Sequence, residues 1–173
     1  MIVEAQIINQ PYSGEYQEII YDHESAWNSQ NWTFIKFTNE DYSEWCGQFR
    51  GYPIQVAISV KYDTVLVLTS DYLYQLELKS GILIELEDQP TYESLTVAPN
   101  GDFILADSYN IEKVTTSIKH KEQIESPIRM DFIKFKNWEN SKLMFTCEEL
   151  MNWDRHFTMV YDSERNKIEI NEK

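Results

Sequence analysis

Runs of β-branched, aromatic and aliphatic residues, four to eight long and separated by turn chemistry, recur along the whole chain. Residues 2–8 alternate loosely, 17–21 form a short run, and 32–37 (WTFIKF) read as a strand among β-branched neighbours. The middle is the most regular part. Residues 54–60, 65–69, 72–78 and 82–86 are four strand candidates joined by KYD, SD and KSG, connectors of hairpin length. Tyr72, Tyr74, Leu76 and Leu78 fall on the opposite phase from Leu73, Gln75 and Glu77, the period-2 alternation of a half-buried strand. A further hairpin runs from 95–98 through Pro99-Asn100-Gly101-Asp102 to 103–106, and Asn-Gly is the strongest turn signal in the chain. Residues 128–135, 142–146, 157–161 and 167–170 complete the series.

Helical signals are few. The polar stretch 22–31 has room for a helical turn. Asn39 can cap a short helix over 40–45, whose acids suit the helix dipole, and 147–153 (CEELMNW) allows about two turns. The pattern therefore predicts one all-β domain over 1–173, an antiparallel two-sheet sandwich or curved β-meander with at most one or two short helices.

A repeat modifies this expectation. Val65-Leu66-Val67-Leu68-Thr69-Ser70 followed by 72–76 resembles Phe103-Ile104-Leu105-Ala106-Asp107-Ser108 followed by 110–114, at an offset of 38 residues. A tight turn, 61–64 or 99–102, precedes each copy. A period near 40 is the size of a four-stranded propeller blade, so a small propeller-like fold is the alternative architecture. Leu143–Cys147 falls near the next period, but its flanks do not match; no Gly-His pair occurs, and the one Trp-Asp pair, Trp153-Asp154, lies outside both copies.

Composition adds two constraints. Aromatic residues make up 14% of 173, and only five Gly and five Pro occur, which opposes disorder and low complexity. Cys46 and Cys147 lie in apolar-aromatic settings without CxxC spacing, so they read as buried free thiols rather than zinc ligands or a redox pair. The start, MIVEAQIINQPYSGEY, has no basic region ahead of its apolar stretch and carries Glu4 within it. It does not read as a signal peptide, and a cytoplasmic protein is expected.

No catalytic, metal or cofactor signature stands out. Asn152-Trp153-Asp154-Arg155-His156 places His beside Asp, but it reads more simply as a turn of mutually satisfied charges. Three scattered histidines make a poor metal set. Paired acids such as Glu148/Glu149 occur by chance among 29 Asp and Glu.

Charge is the distinctive feature. Residues 1–112 hold 18 acids against 4 Lys/Arg, whereas 113–142 hold 7 basic and 4 acidic residues, and the net charge is −14. Such a field opposes binding to nucleic acid or an anionic membrane and attracts basic surfaces. Two acidic-aromatic segments are the candidate contact regions. One contains Glu40, Asp41, Glu44 and Trp45; the other contains Glu85, Glu87, Asp88, Tyr92 and Glu93. Carboxylates there would pair with a partner's Arg or Lys, while Trp45 and Tyr92 would serve as anchors.

In size, acidity, β-richness and lack of catalytic motifs, and in its EWCGQFRGYP to LTVAPNGDFILAD region, the chain resembles the immunity proteins of bacterial polymorphic toxin systems. The resemblance is one of type. It implies a non-enzymatic inhibitor that occludes the basic active site of a toxin domain such as a nuclease, and it assigns no residue a role. The alternative is a propeller-like or sandwich module that binds a peptide or carbohydrate through exposed aromatics.

Overall fold

The computed structural model describes residues 1–23 and 29–171, with Trp153 described by its backbone alone. The described chain is all-β: sixteen strands form four sheets of four strands each. It divides into two compact units. One comprises Met1–Pro90 with Thr116–Lys119, and the other Thr91–Thr115 with His120–Lys173.

In the first unit, β1 (Ile2–Ile8), β2 (Gln17–Tyr21), β3 (Trp32–Asn39) and β4 (Glu44–Arg50) form a sheet in the order β1-β3-β4-β2. Its β2–β4 pair is parallel, running from Gln17 opposite Trp45 to Tyr21 opposite Phe49. The second sheet is a sequential antiparallel meander of β5 (Pro53–Ser59), β6 (Thr64–Thr69), β7 (Tyr72–Glu77) and β8 (Leu83–Asp88). Both sheets contribute to one core. Ile35, Phe37, Trp45 and Phe49 come from the first, and Val65, Val67, Tyr72, Tyr74 and Leu76 from the second. The aromatic content concentrates here: Tyr21 stacks on Phe49 at 4.5 Å, Phe37 on Trp45 at 4.4 Å, and Phe49 meets Tyr74 edge-on at 5.0 Å.

The opposite phase of β6 and β7 is buried as well, at Leu66, Leu68, Leu73 and Gln75, so β7 is covered on both faces rather than half-buried as its alternation predicts. Gln75 explains the return of 116–119 to this unit. Its Nε2 donates to Thr116 O at 2.8 Å, and the Ile118 N–H donates to its Oε1 at 3.0 Å. A polar residue on a buried strand is tolerated because both ends of its amide are satisfied.

The second unit repeats the plan with two sequential meanders. The first is β9 (Ser94–Val97), β10 (Phe103–Ala106), β11 (Ile111–Val114) and β12 (Lys121–Gln123). The second is β13 (Met130–Glu139), β14 (Lys142–Glu149), β15 (Asn152–Asp162) and β16 (Lys167–Ile170). Ile104, Ala106 and Ile111 share a core with Ile133, Leu143, Phe145, Met159 and Tyr161. The 38-residue repeat is thus real as structure: β6–β7 and β10–β11 are the two central strands of their sheets. A third copy exists in β14–β15. Each copy follows a turn with a residue in the left-handed region, at Asp63 (φ 52°), Gly101 (φ 90°) and Asn140 (φ 55°). Gly and Asn enter that region at low cost, and Asp is tolerated there.

Both predicted helices within the described residues are corrected. Residues 40–43 form a turn, and Glu44 and Trp45 begin β4. Tyr42 at φ 64° cannot continue a right-handed helix. Cys147 to Glu149 end β14, Met151 at φ 65° reverses the chain, and Asn152 starts β15. The turn expected within 22–31 lies largely outside the described residues.

Cys46 and Cys147 are free and buried, and burial pushes the Cys147 thiol up to about 11. At neutral pH it stays protonated and a poor nucleophile.

Gly47 is where the aromatic core has no slack. A Cβ there would stand 2.6 Å from Phe49 Cε2 and 2.9 Å from Phe37 Cε2. Gly47→Ala is expected to cost about 1–3 kcal/mol through overpacking, read as a lower urea midpoint at unchanged slope. An unchanged midpoint would show that the ring stack yields.

Candidate functional site

The candidate site is the tip of the β3–β4 hairpin, where the chain must reverse in four residues. Its frame is a set of short local bonds. Asn39 N–H donates to Ser43 O and Tyr42 N–H to Asn39 O, both at 2.9 Å, and Glu40 N–H donates to Met1 O at 2.9 Å. Asn39 Nδ2 donates to Ser43 Oγ at 3.0 Å. Asp41 Oδ1 then accepts both the Ser43 N–H at 3.1 Å and the Ser43 hydroxyl at 2.6 Å. Those two bonds favour the charged carboxylate and hold the Asp41 pKa below its ordinary value.

The frame forces Tyr42 into the left-handed region and turns its ring outward, leaving it 88% exposed. For a residue with a Cβ that conformation costs on the order of 1 kcal/mol, and it persists because the surrounding bonds over-determine it. Glu40, Asp41 and Glu44 surround Tyr42 in the chain, and all three are exposed. Glu44 accepts from Lys36 Nζ at 3.0 Å, which raises the Lys36 pKa.

The other nominated residues are placed differently. Trp45 is buried: its ring stacks on Phe37 and closes over Gly81, where an added Cβ would come within 2.8 Å of Trp45 Cη2. Tyr21 donates to the Gly81 carbonyl at 2.5 Å beside it. Glu85, Glu87 and Asp88 lie together on the edge strand β8. Glu85 accepts from Ser117 Oγ at 2.6 Å and lies 3.3 Å from Lys119 Nζ, and the Ser117 hydrogen bond leads in lowering its pKa. Glu87 is partly covered, and Asp88 is exposed.

Tyr92 and Glu93 belong to the second unit. Tyr92 is buried, donates to Glu112, and lies under Lys121 Nζ at 5.1 Å from its ring centre. Glu93 accepts from Ser108 Oγ at 2.9 Å. Neither nominated aromatic is therefore free to anchor a partner. Within the first acidic-aromatic segment the exposed ring is Tyr42, which the sequence shows between Asp41 and Ser43 and which Asp/Ser turn chemistry could have identified.

The Asn152–His156 cluster lies on β15 rather than in a turn. Arg155 Nη1 donates to Glu149 Oε2 at 2.8 Å, its guanidinium stacks on Phe157, and His156 Nδ1 lies 3.3 Å from Glu148 Oε1.

No family model matches the chain, and no curated protein matches it in sequence. Solved structures do match. The chain is similar to the extracellular domain of a protein assigned as a one-component system in B. thetaiotaomicron, with a TM-score of 0.54 and 12% identity. That match covers 79% of this chain and 20% of the other, so the chain spans about a fifth of its length. Weaker likenesses are to Hsv2 of K. marxianus and to a Bacteroides fragilis protein described as exported. The first has a TM-score of 0.41, 12% identity and coverage of 83% of this chain and 55% of the other. The second has a TM-score of 0.32, 8% identity and coverage of 97% and 75%. At such identity the likeness concerns the fold. The cytoplasmic expectation is corrected: the neighbour with a TM-score of 0.54 is an extracellular domain. The apolar stretch Ile2–Ile8 serves as strand β1.

Because the folded Asp41 pKa lies below its unfolded value, this group's contribution to stability is present above about pH 3.9. It is lost as pH falls through the folded pKa. Carboxyl chemical shifts followed through an acid titration should place the Asp41 midpoint below that of an ordinary aspartate, and Ser43→Ala, which removes the hydroxyl but keeps the N–H donor, should move it up toward the ordinary range. An unmoved midpoint would show that the hydroxyl does not hold the turn.

Proposed function

We propose that the protein is a non-enzymatic binding module that docks a basic protein partner on the Tyr42 hairpin tip of its first unit. The observation that carries this reading is a tyrosine 88% exposed on a rigid four-residue turn, among Glu40, Asp41 and Glu44. Tyr is an effective anchor, because it offers a large, stiff contact surface with a polar end. The carboxylates beside it match Arg and Lys in bidentate and point-charge geometries.

The wider field supports the same partner class. With a net charge of −14, most of it arising before residue 113, the chain draws basic surfaces in and repels phosphate backbones. Asp88 and Glu87 on β8 extend that acidic surface. The resemblance of type to immunity proteins specifies the partner further as a toxin domain such as a nuclease, whose basic active site would be occluded. Tyr42 then takes the anchoring role first assigned to Trp45 and Tyr92.

Two variants separate steering from anchoring. Glu40→Gln with Glu44→Gln and Asp88→Asn is expected to slow association by about tenfold at low salt and to flatten its salt dependence. Tyr42→Ala is expected to speed dissociation, with a loss of about 2 kcal/mol in affinity and little change in association rate. Surface plasmon resonance against a captured basic partner, first recovered by affinity pull-down, reads both. Salt-independent association that neither variant changes would sink the proposal.

A further inference from the structure

The outer face of the last sheet carries a groove of about 350 Å³, distinct from the hairpin tip. Its floor is set by register. Lys134 on β13, Thr146 on β14 and Thr158 on β15 are direct partners in one row across three strands. Glu148 and His156 form the next pair, 3.3 Å apart. The side chains of Lys134, Thr146 and Thr158 make no hydrogen bond or ion pair among the described residues.

Phe132 lines the groove from an unusual backbone position. The β13–β14 register shifts between Asp131 and Lys134, and inside that bulge Phe132 adopts φ 52°. The buried Asp131 fixes the distortion by accepting the Phe132 N–H at 2.9 Å. Bulges of this kind re-aim a side chain. Here the re-aimed ring is 52% exposed, so the strain does not serve to fill the core. Strain retained without a packing gain points to a binding role.

We propose that this groove binds a pyranose of a neutral oligosaccharide. Phe132 stacks on the C–H face of the ring, and Lys134, Thr146, Thr158, Glu148 and His156 hydrogen-bond its hydroxyls. The chemistry selects the ligand class. One ammonium and one carboxylate leave the groove close to neutral, which suits a polyol and gives no advantage to a phosphate or a uronate. Hydroxyls, imidazole and carboxylate offer donors and acceptors together, matching sugar hydroxyls that are both. The volume lies at the small end of the range for ligand pockets, roughly 300–1,000 Å³, and accommodates a ring rather than a folded partner.

Saturation-transfer NMR and calorimetry with cellotetraose, xylotetraose, mannotetraose and maltotetraose test this, with tetragalacturonate as the charged control. The expected result is binding of at least one neutral tetrasaccharide in preference to the uronate. Phe132→Gly should weaken it by about tenfold or more while leaving the melting temperature unchanged or higher, because glycine relieves the positive φ. Thr158→Val should weaken binding less while the fold is retained. The proposal is overturned by no saturation transfer from any of the four, by preference for tetragalacturonate, or by full binding in Phe132→Gly. A melting temperature lowered by Phe132→Gly would also overturn it, since the ring would then serve the fold.

Discussion

A four-stranded sheet has two faces and can bury neither alone. In the first unit this constraint is met by aromatic rings. Tyr21, Phe37, Trp45 and Phe49 from one sheet meet Tyr74 from the other, and each stacked or edge-on pair adds about 0.5–1.5 kcal/mol beyond the area it buries. Space for the stack depends on two glycines, Gly47 against Phe37 and Phe49, and Gly81 against Trp45. The second unit meets the same constraint with mainly aliphatic residues around Phe145 and Tyr161. Rings committed in this way cannot recognise a partner. That is why Trp45 and Tyr92, next to acids in the sequence, do not present themselves at the surface, and why the proposed anchoring role falls to Tyr42.

The strands were legible because each carries its own signal. Period-2 alternation in 72–78 and the Asn100-Gly101 turn act locally, and both reappear in the fold. The repeat was legible for two copies and missed in the third, because its invariant is a backbone conformation rather than a residue. Asp63, Gly101 and Asn140 share a positive φ but no common side chain. The helix expected over 40–45 failed for a related reason: acids after Asn39 suit a helix start and also a tight turn, and only the pairing of β3 with β4 decides between them. The parallel docking of β2 on β4 is a long-range choice with no local signature. Nor can adjacency in sequence tell which of Tyr42 and Trp45 faces water, since strand alternation depends on where the strand begins.

Cation pairing refines the picture of the acidic unit. Lys36, Arg50, Lys79 and Lys119 pair with Glu44, Asp22, Asp63 and Glu85, while Lys61 lies over the Tyr62 ring. Where both partners are exposed, as in Lys79–Asp63, such a pair is worth only about 0–1 kcal/mol. The effect of the pairs is on presentation. Glu44 and Glu85 are tethered by neighbours, so in the proposed complex their contacts would be shared with Lys36 and Lys119, while the long-range field is nearly indifferent to the tethering.

Rigidity links the tip to that field. Steering brings a basic surface close but does not hold it, and affinity depends on how little ordering the contact still requires. A tyrosine on a mobile loop would lose backbone freedom on docking, about 1–2 kcal/mol per residue fixed. At 39–43 that ordering cost has already been met in folding, through the Asp41–Ser43 and Asn39–Ser43 bonds and the left-handed Tyr42. The local strain at Tyr42 is therefore offset by the turn itself and does not recur on binding. In the proposed complex, a hairpin stiffened in this way, within an acidic field, would separate the two jobs of encounter and retention onto different residues.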